Sequence, residues 1–148
     1  MSKRFSILLA LLLGATIIPG RAQAQEQLRP TINVRSVELL KGREGGSSKL
    51  LLIGTNGRKH LLPDGTFRSE SGAMIIVLDG LIASVAAPRG RRVEVESMQV
   101  ERGGTISLIG TNGVIGPIRR FVPDGIYTTR EGAMITLKNG AITQASIK

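Results

Sequence analysis

One pattern occurs twice in the chain, and this repetition limits the possible folds more than any other feature. Leu52-Ile53-Gly54-Thr55-Asn56-Gly57 returns unchanged at residues 108–113. Pro63-Asp64-Gly65 returns as Pro123-Asp124-Gly125, and Gly72-Ala73-Met74-Ile75 as Gly132-Ala133-Met134-Ile135. Asp79-Gly80 returns as Asn139-Gly140. Upstream, Ile32, Val34, Val37 and Leu39 match the spacing of Val93, Val95, Met98 and Val100, so the units span residues 32–86 and 93–147, 55 residues each. In both, the apolar alternation changes phase after Ser36 or Ser97, which predicts a β-bulge. The equal lengths hide compensating changes: a longer loop at residues 42–48 in the first unit, and a longer stretch between Gly113 and Pro123 in the second.

Each unit reads as a row of short strands and tight turns. Asn-Gly and Asp-Gly favour type I′ hairpins, whose central residues both need positive φ. Pro-Asp-Gly fixes φ at the proline and gives the glycine a left-handed conformation. Residues 69–72 and 129–132 read as longer turns ending in a glycine bulge. Outside the N-terminus no stretch sustains a 3.6-residue period. The expected fold class is therefore all-β: a duplicated antiparallel β-meander, six strands per unit, packed as a sandwich or barrel-like pseudo-twofold domain after an N-terminal signal helix. The expected layout is a signal peptide at 1–24, a linker at 25–31, one β repeat at 32–86, a basic linker at 87–92 and a second β repeat at 93–148. A 55-residue unit is marginal alone, which favours one shared core over two beads on a linker. In the second hairpin, Ile135 and Leu137 alternate with Thr136 and Lys138, giving one wet face. Residues 74–78 are apolar throughout, so that strand is expected to be covered on both faces and to lie nearer the centre.

Residues 1–24 carry an address. Lys3 and Arg4 precede a 14-residue apolar run at 5–18, and Ala22-Gln23-Ala24 supplies small residues for cleavage after Ala24. The run is short of the roughly 20 residues that a membrane-spanning helix needs. The expectation is a periplasmic or secreted protein, soluble and without stable membrane insertion after cleavage. Loss of Lys3, Arg4 and Arg21 lowers the net charge from +9 to +6.

Composition narrows the chemistry. With no cysteine there is no disulfide framework, no thiol nucleophile and no zinc–cysteine site. One histidine cannot supply a multi-histidine metal centre. Four aromatic residues give little base-stacking surface, and export removes nucleic acid as a partner. No catalytic, metal or cofactor site is expected. The repeated Asp64 and Asp124 suggest a two-fold related carboxylate pair, as in aspartic proteases. Those enzymes have Ser or Thr between Asp and Gly, and here the triplet reads as a turn. Residues 52–57 lack the Gly-Lys-Ser/Thr ending of a phosphate loop. His60 reads as a solvated strand residue whose matching position holds Arg120.

Basic clusters are the remaining surface feature. Arg58 and Lys59, with His60, match Arg119 and Arg120 just before the Pro-Asp-Gly turns, and Arg89, Arg91 and Arg92 form a third cluster in the linker. Arginine binds carboxylate and phosphate through two parallel hydrogen bonds. These seven residues are candidates for binding an anion or partner. The plainer reading makes them solvated charges guarding strand edges.

The segment PDGTFRSESGAMIIVLDGLI and its partner PDGIYTTREGAMITLKNGAI resemble the Asp-Gly-turn β-hairpin repeat modules of secreted bacterial and phage proteins of unknown function. Asp64, Gly65, Phe67, Gly72, Ile75, Asp79, Gly80 and Ile82 carry the likeness, with counterparts from Asp124 to Ile142. The resemblance implies hairpin geometry and no catalytic residue. The expected function is an exported, soluble, non-enzymatic binding or structural module of the cell envelope. Its partner would be an anionic envelope component or another protein. The alternative is an accessory protein of a secretion or pilus assembly that pairs through its β edges.

Overall fold

The computed structural model describes residues 29–44, 46–111, 117–120 and 122–147, with 111 and 117–120 as backbone alone. The expected signal helix at 1–24, most of the 25–31 linker and the second Asn-Gly turn at 112–113 lie outside the described residues. The described residues are all-β and contain no helix. The strands are β1 (Thr31–Leu40), β2 (Lys49–Gly54), β3 (Lys59–Leu61), β4 (Gly65–Ser69), β5 (Met74–Leu78) and β6 (Leu81–Ala86). They continue with β7 (Arg92–Glu94), β8 (Ser97–Val100), β9 (Ile106–Thr111), β10 (Pro117–Arg120), β11 (Gly125–Thr128), β12 (Met134–Lys138) and β13 (Ala141–Ser146).

Ten strands bond in the order β3-β2-β1-β13-β12-β11-β4-β5-β6-β7 and three in the order β10-β9-β8. Every pairing is antiparallel, and neither sheet closes. β1 serves two neighbours: residues 31–33 pair with β13, and from Val34 onward it pairs with β2. The register shifts between Val34 and Ser36, so the expected bulge is present, slightly upstream of the phase change. In the later segment the strand is broken outright. β7 pairs with β6, while β8 starts at Ser97 and pairs with β9. Two three-stranded arms, β1-β2-β3 and β8-β9-β10, reach the tips of the β5–β6 and β12–β13 hairpins. There Leu50 N donates to Gly80 O (3.3 Å) and Ile106 N to Gly140 O (3.1 Å).

Those hairpin tips are built as their dipeptides require. Asp79 and Gly80 have φ of 52° and 75°, and Asn139 and Gly140 have 52° and 72°. Positive φ at both central residues matches the twist of the flanking strands. The Pro-Asp-Gly glycines differ from expectation. Gly65 and Gly125, at φ 150° and 154°, are extended instead of left-handed, in a region open essentially to glycine. Each begins a strand instead of closing a hairpin. A Cβ on Gly65 would lie 2.9 Å from Thr129 Cγ2, so glycine also permits the two segments to approach.

The segments meet in mid-sheet where β4 pairs with β11, with Tyr127 opposite Ser69 and Thr128 opposite Arg68, and again where β1 pairs with β13 and β6 with β7. Beneath the β4–β11 join lies one buried cluster. It takes Phe67, Ile75 and Val77 from one side and Tyr127, Ile135 and Leu137 from the other. Registers agree on both sides: Phe67 faces Ile75 across β4–β5, and Tyr127 faces Ile135 across β11–β12. β5 is not covered on both faces. Its burial alternates as that of β12 does, with Ile76 half-buried and Leu78 57% exposed. Nor is it more central, because β5 and β12 each lie one strand from the β4–β11 join. Its outward apolar residues reflect composition, not a second packing layer.

Tyr127 is fully buried, and its hydroxyl donates to Pro123 O at 2.6 Å. Burial, and then the charge of Asp124, push its phenol from 10.0 up to about 12. The fold therefore favours the neutral phenol. That stabilisation is complete below pH 10 and is lost as pH rises toward 12. Phe67 occupies the matching register without a hydroxyl. Between pH 10 and 12 the wild type should lose roughly 2 kcal/mol more stability than Tyr127→Phe, read from urea midpoints. Equal losses would contradict this origin.

Candidate functional site

The Pro-Asp-Gly carboxylates are committed to structure. Asp64 Oδ1 accepts from Gly80 N at 2.9 Å. Asp124 accepts from Asn139 N at 2.9 Å through Oδ2 and from Gly140 N at 3.3 Å through Oδ1. Each carboxylate thus holds the tip of one hairpin, and among the described residues no hydrogen bond joins the two. Residues 52–57 likewise use their turn amides internally. Thr55 N donates to Asn33 O, Gly57 N to Gly54 O and Arg58 N to Asn56 Oδ1. Those three donors are not left pointing at a phosphate.

The basic candidates do not gather at one place. Arg58 precedes β3, and Lys59 lies on it. Arg89 and Arg91 sit in the exposed β6–β7 connection, and Arg92 begins β7. Arg119 and Arg120 lie on β10, opposite Ile109 and Leu108; their side chains are outside the described residues. β3, β7 and β10 each lie at the end of a strand order. Charge on an edge strand opposes pairing with another chain. Lys59 Nζ meets Glu38 Oε2 at 3.3 Å, with the two side chains 61% and 55% exposed, a pair that adds little stability. Arg58, Arg89, Arg91 and Arg92 have no carboxylate partner among the described residues.

A cleft of about 790 Å³ lies beside β3. One side is formed by Lys49, Lys59, His60, Asp64 and the Asp79-Gly80 tip. Arg29, Thr129, Glu131 and the end of β13 supply the rest, so the cleft spans both sequence segments. His60 is half-buried, not solvated as expected, and its Nε2 is shielded and without a partner among the described residues. Pairing of β3 with β2 sets His60 opposite Leu52 and produces this burial. Of the candidates read from sequence, only Lys59 lines the cleft. Arg29, Lys49, Asp79 and Glu131 carried no linear signal, because turns and pairings distant in sequence bring them together.

Comparison with family models, with curated proteins and with solved structures gives no match.

Two substitutions separate structural from spare carboxylates. Asp64→Ala should lower stability by about 1.5–3 kcal/mol, because the Gly80 amide loses a charged acceptor. Asp79→Asn should change it by less than about 0.5 kcal/mol, since Asn139 makes the corresponding turn at the same φ. Chemical denaturation measures both, and the opposite ranking would contradict the assignment.

Proposed function

We propose that the chain is an exported, soluble, non-enzymatic binding or structural module of the cell envelope, engaging an anionic component through its basic edges. The observation that carries this reading is that the exposed Arg58 beside β3 and Arg89, Arg91 and Arg92 around β7 lack carboxylate partners among the described residues. Unpaired guanidinium groups are free to take carboxylate or phosphate oxygens. The charged, short apolar start of residues 1–24 supports export, with a periplasmic or secreted destination.

The same reading treats residues 32–86 and 93–148 as repeats of one unit, curled into a sandwich- or barrel-like domain about a pseudo-twofold axis. Its support is that the central order β1-β13-β12-β11-β4-β5-β6-β7 keeps its form when the segments are exchanged, with the Arg68–Thr128 pair at the exchange point. The likeness to Asp-Gly-turn repeat modules belongs to this reading too. Pairing through β edges, as in an assembly accessory protein, has weaker support. β3 and β7 are only three residues long and carry Lys59 and Arg92.

Replacing Arg58, Arg89, Arg91 and Arg92 by Glu should release the protein from isolated envelopes at low salt. Wild-type retention should weaken as salt rises, because exposed charges are screened. Salt-insensitive retention that survives the charge reversal would overturn the proposal.

A further inference from the structure

We propose that the cleft beside β3 binds a zwitterionic ligand: a short peptide or amino-acid-type molecule with a free ammonium group and a free carboxylate. This site shares only Lys59 with the basic edges, and that ammonium is paired with Glu38, so the inference does not rest on the anionic-partner reading. The first support is its charge balance. Arg29, Lys49 and Lys59 line the cleft against Asp64, Asp79 and Glu131. In a chain of net charge +9 this is a locally balanced site. A purely anionic ligand meets opposing carboxylates there, whereas a ligand with both charges finds a counter-charge for each.

The second support is which groups are uncommitted. Asp64 is engaged with the Gly80 amide and Lys59 with Glu38. Arg29, Lys49, Asp79 and Glu131 make no side-chain hydrogen bond or ion pair among the described residues. Two cations thus remain for a carboxylate and two carboxylates for an ammonium. A concave site with a few convergent polar groups is the usual form of a small-ligand pocket, and its volume of about 790 Å³ accommodates a short peptide.

The third support is that the backbone does not require these charges. Asp79 and Asn139 form their turns at the same φ of 52°. The 129–133 turn, which holds Glu131, closes through Ala133 N donating to Thr129 Oγ1; the 69–73 turn closes the same way on Ser69 Oγ, with Ser71 in that place. Leu50 and Ile106 make equivalent bonds to Gly80 and Gly140, yet Lys49 precedes one and Thr105 the other. The charges therefore sit in the cleft without a folding task.

The test uses the full exported chain, ¹⁵N-labelled, titrated with tri-alanine, N-acetyl-tri-alanine and tri-alanine amide. Free tri-alanine should shift the amides of His60, Gly80 and residues 129–133 at millimolar concentration. Blocking either end should weaken binding by about tenfold or more. In Asp79→Asn/Glu131→Ser, acetylation should no longer matter while amidation still does; in Lys49→Thr, the penalty for amidation should shrink. The spectra also report whether each variant is folded. An absence of cleft shifts at millimolar peptide, or equal binding of free and blocked peptides, would overturn the proposal.

Discussion

The pairing of β4 with β11 is the constraint on which the rest of the structure depends. Together with the β1–β13 and β6–β7 pairings on either side of it, it makes one sheet out of two segments that would each be marginal alone. Two register pairs, Tyr127–Ser69 and Thr128–Arg68, define the join, and a few backbone bonds cannot hold it unaided. What holds it is the apolar layer beneath, where Phe67 and Tyr127 are fully buried together with Ile75 and Ile135. Aromatic side chains bury the most area per residue, so placing two at the join concentrates hydrophobic stabilisation there. Gly65 allows the close approach to Thr129 that this packing needs.

The arms are tied to the sheet by a second device. Each Pro-Asp-Gly segment leads out of an arm and puts a carboxylate on a hairpin tip. Leu50 and Ile106 add backbone bonds at the same tips. The cleft lies beside one of these ties, where the arm, the hairpin tip and the 129–133 turn converge. Its shape follows from structural necessity, whereas its uncommitted charges do not.

Much of the fold was legible in the residues, and the reasons are local. Asp79-Gly80 and Asn139-Gly140 dictate type I′ turns through positive φ, which few other pairs supply. The phase change near Ser36 records a real register shift, because a strand with one buried face cannot change sides without one. Residues 74–78 were misleading. An apolar run reports composition, and only the neighbours decide whether a second face is covered; Leu78 stays exposed. The Pro-Asp-Gly glycines were misread because extended positive φ and left-handed φ demand the same residue. The cleft was not legible at all. Arg29, Lys49, Asp79 and Glu131 are far apart in the chain and meet only through long-range pairing.

Native-state hydrogen exchange, followed amide by amide as denaturant rises, tests most directly that one core joins both segments. Amides of Ile75 and Val77 in β5 and of Ile135 and Leu137 in β12 should converge on a single opening free energy, that of global unfolding. A proline at Arg68, in the strand that makes the join, should lower both sets together. Two separate limits, with residues 32–86 opening independently of 93–147, would contradict the account.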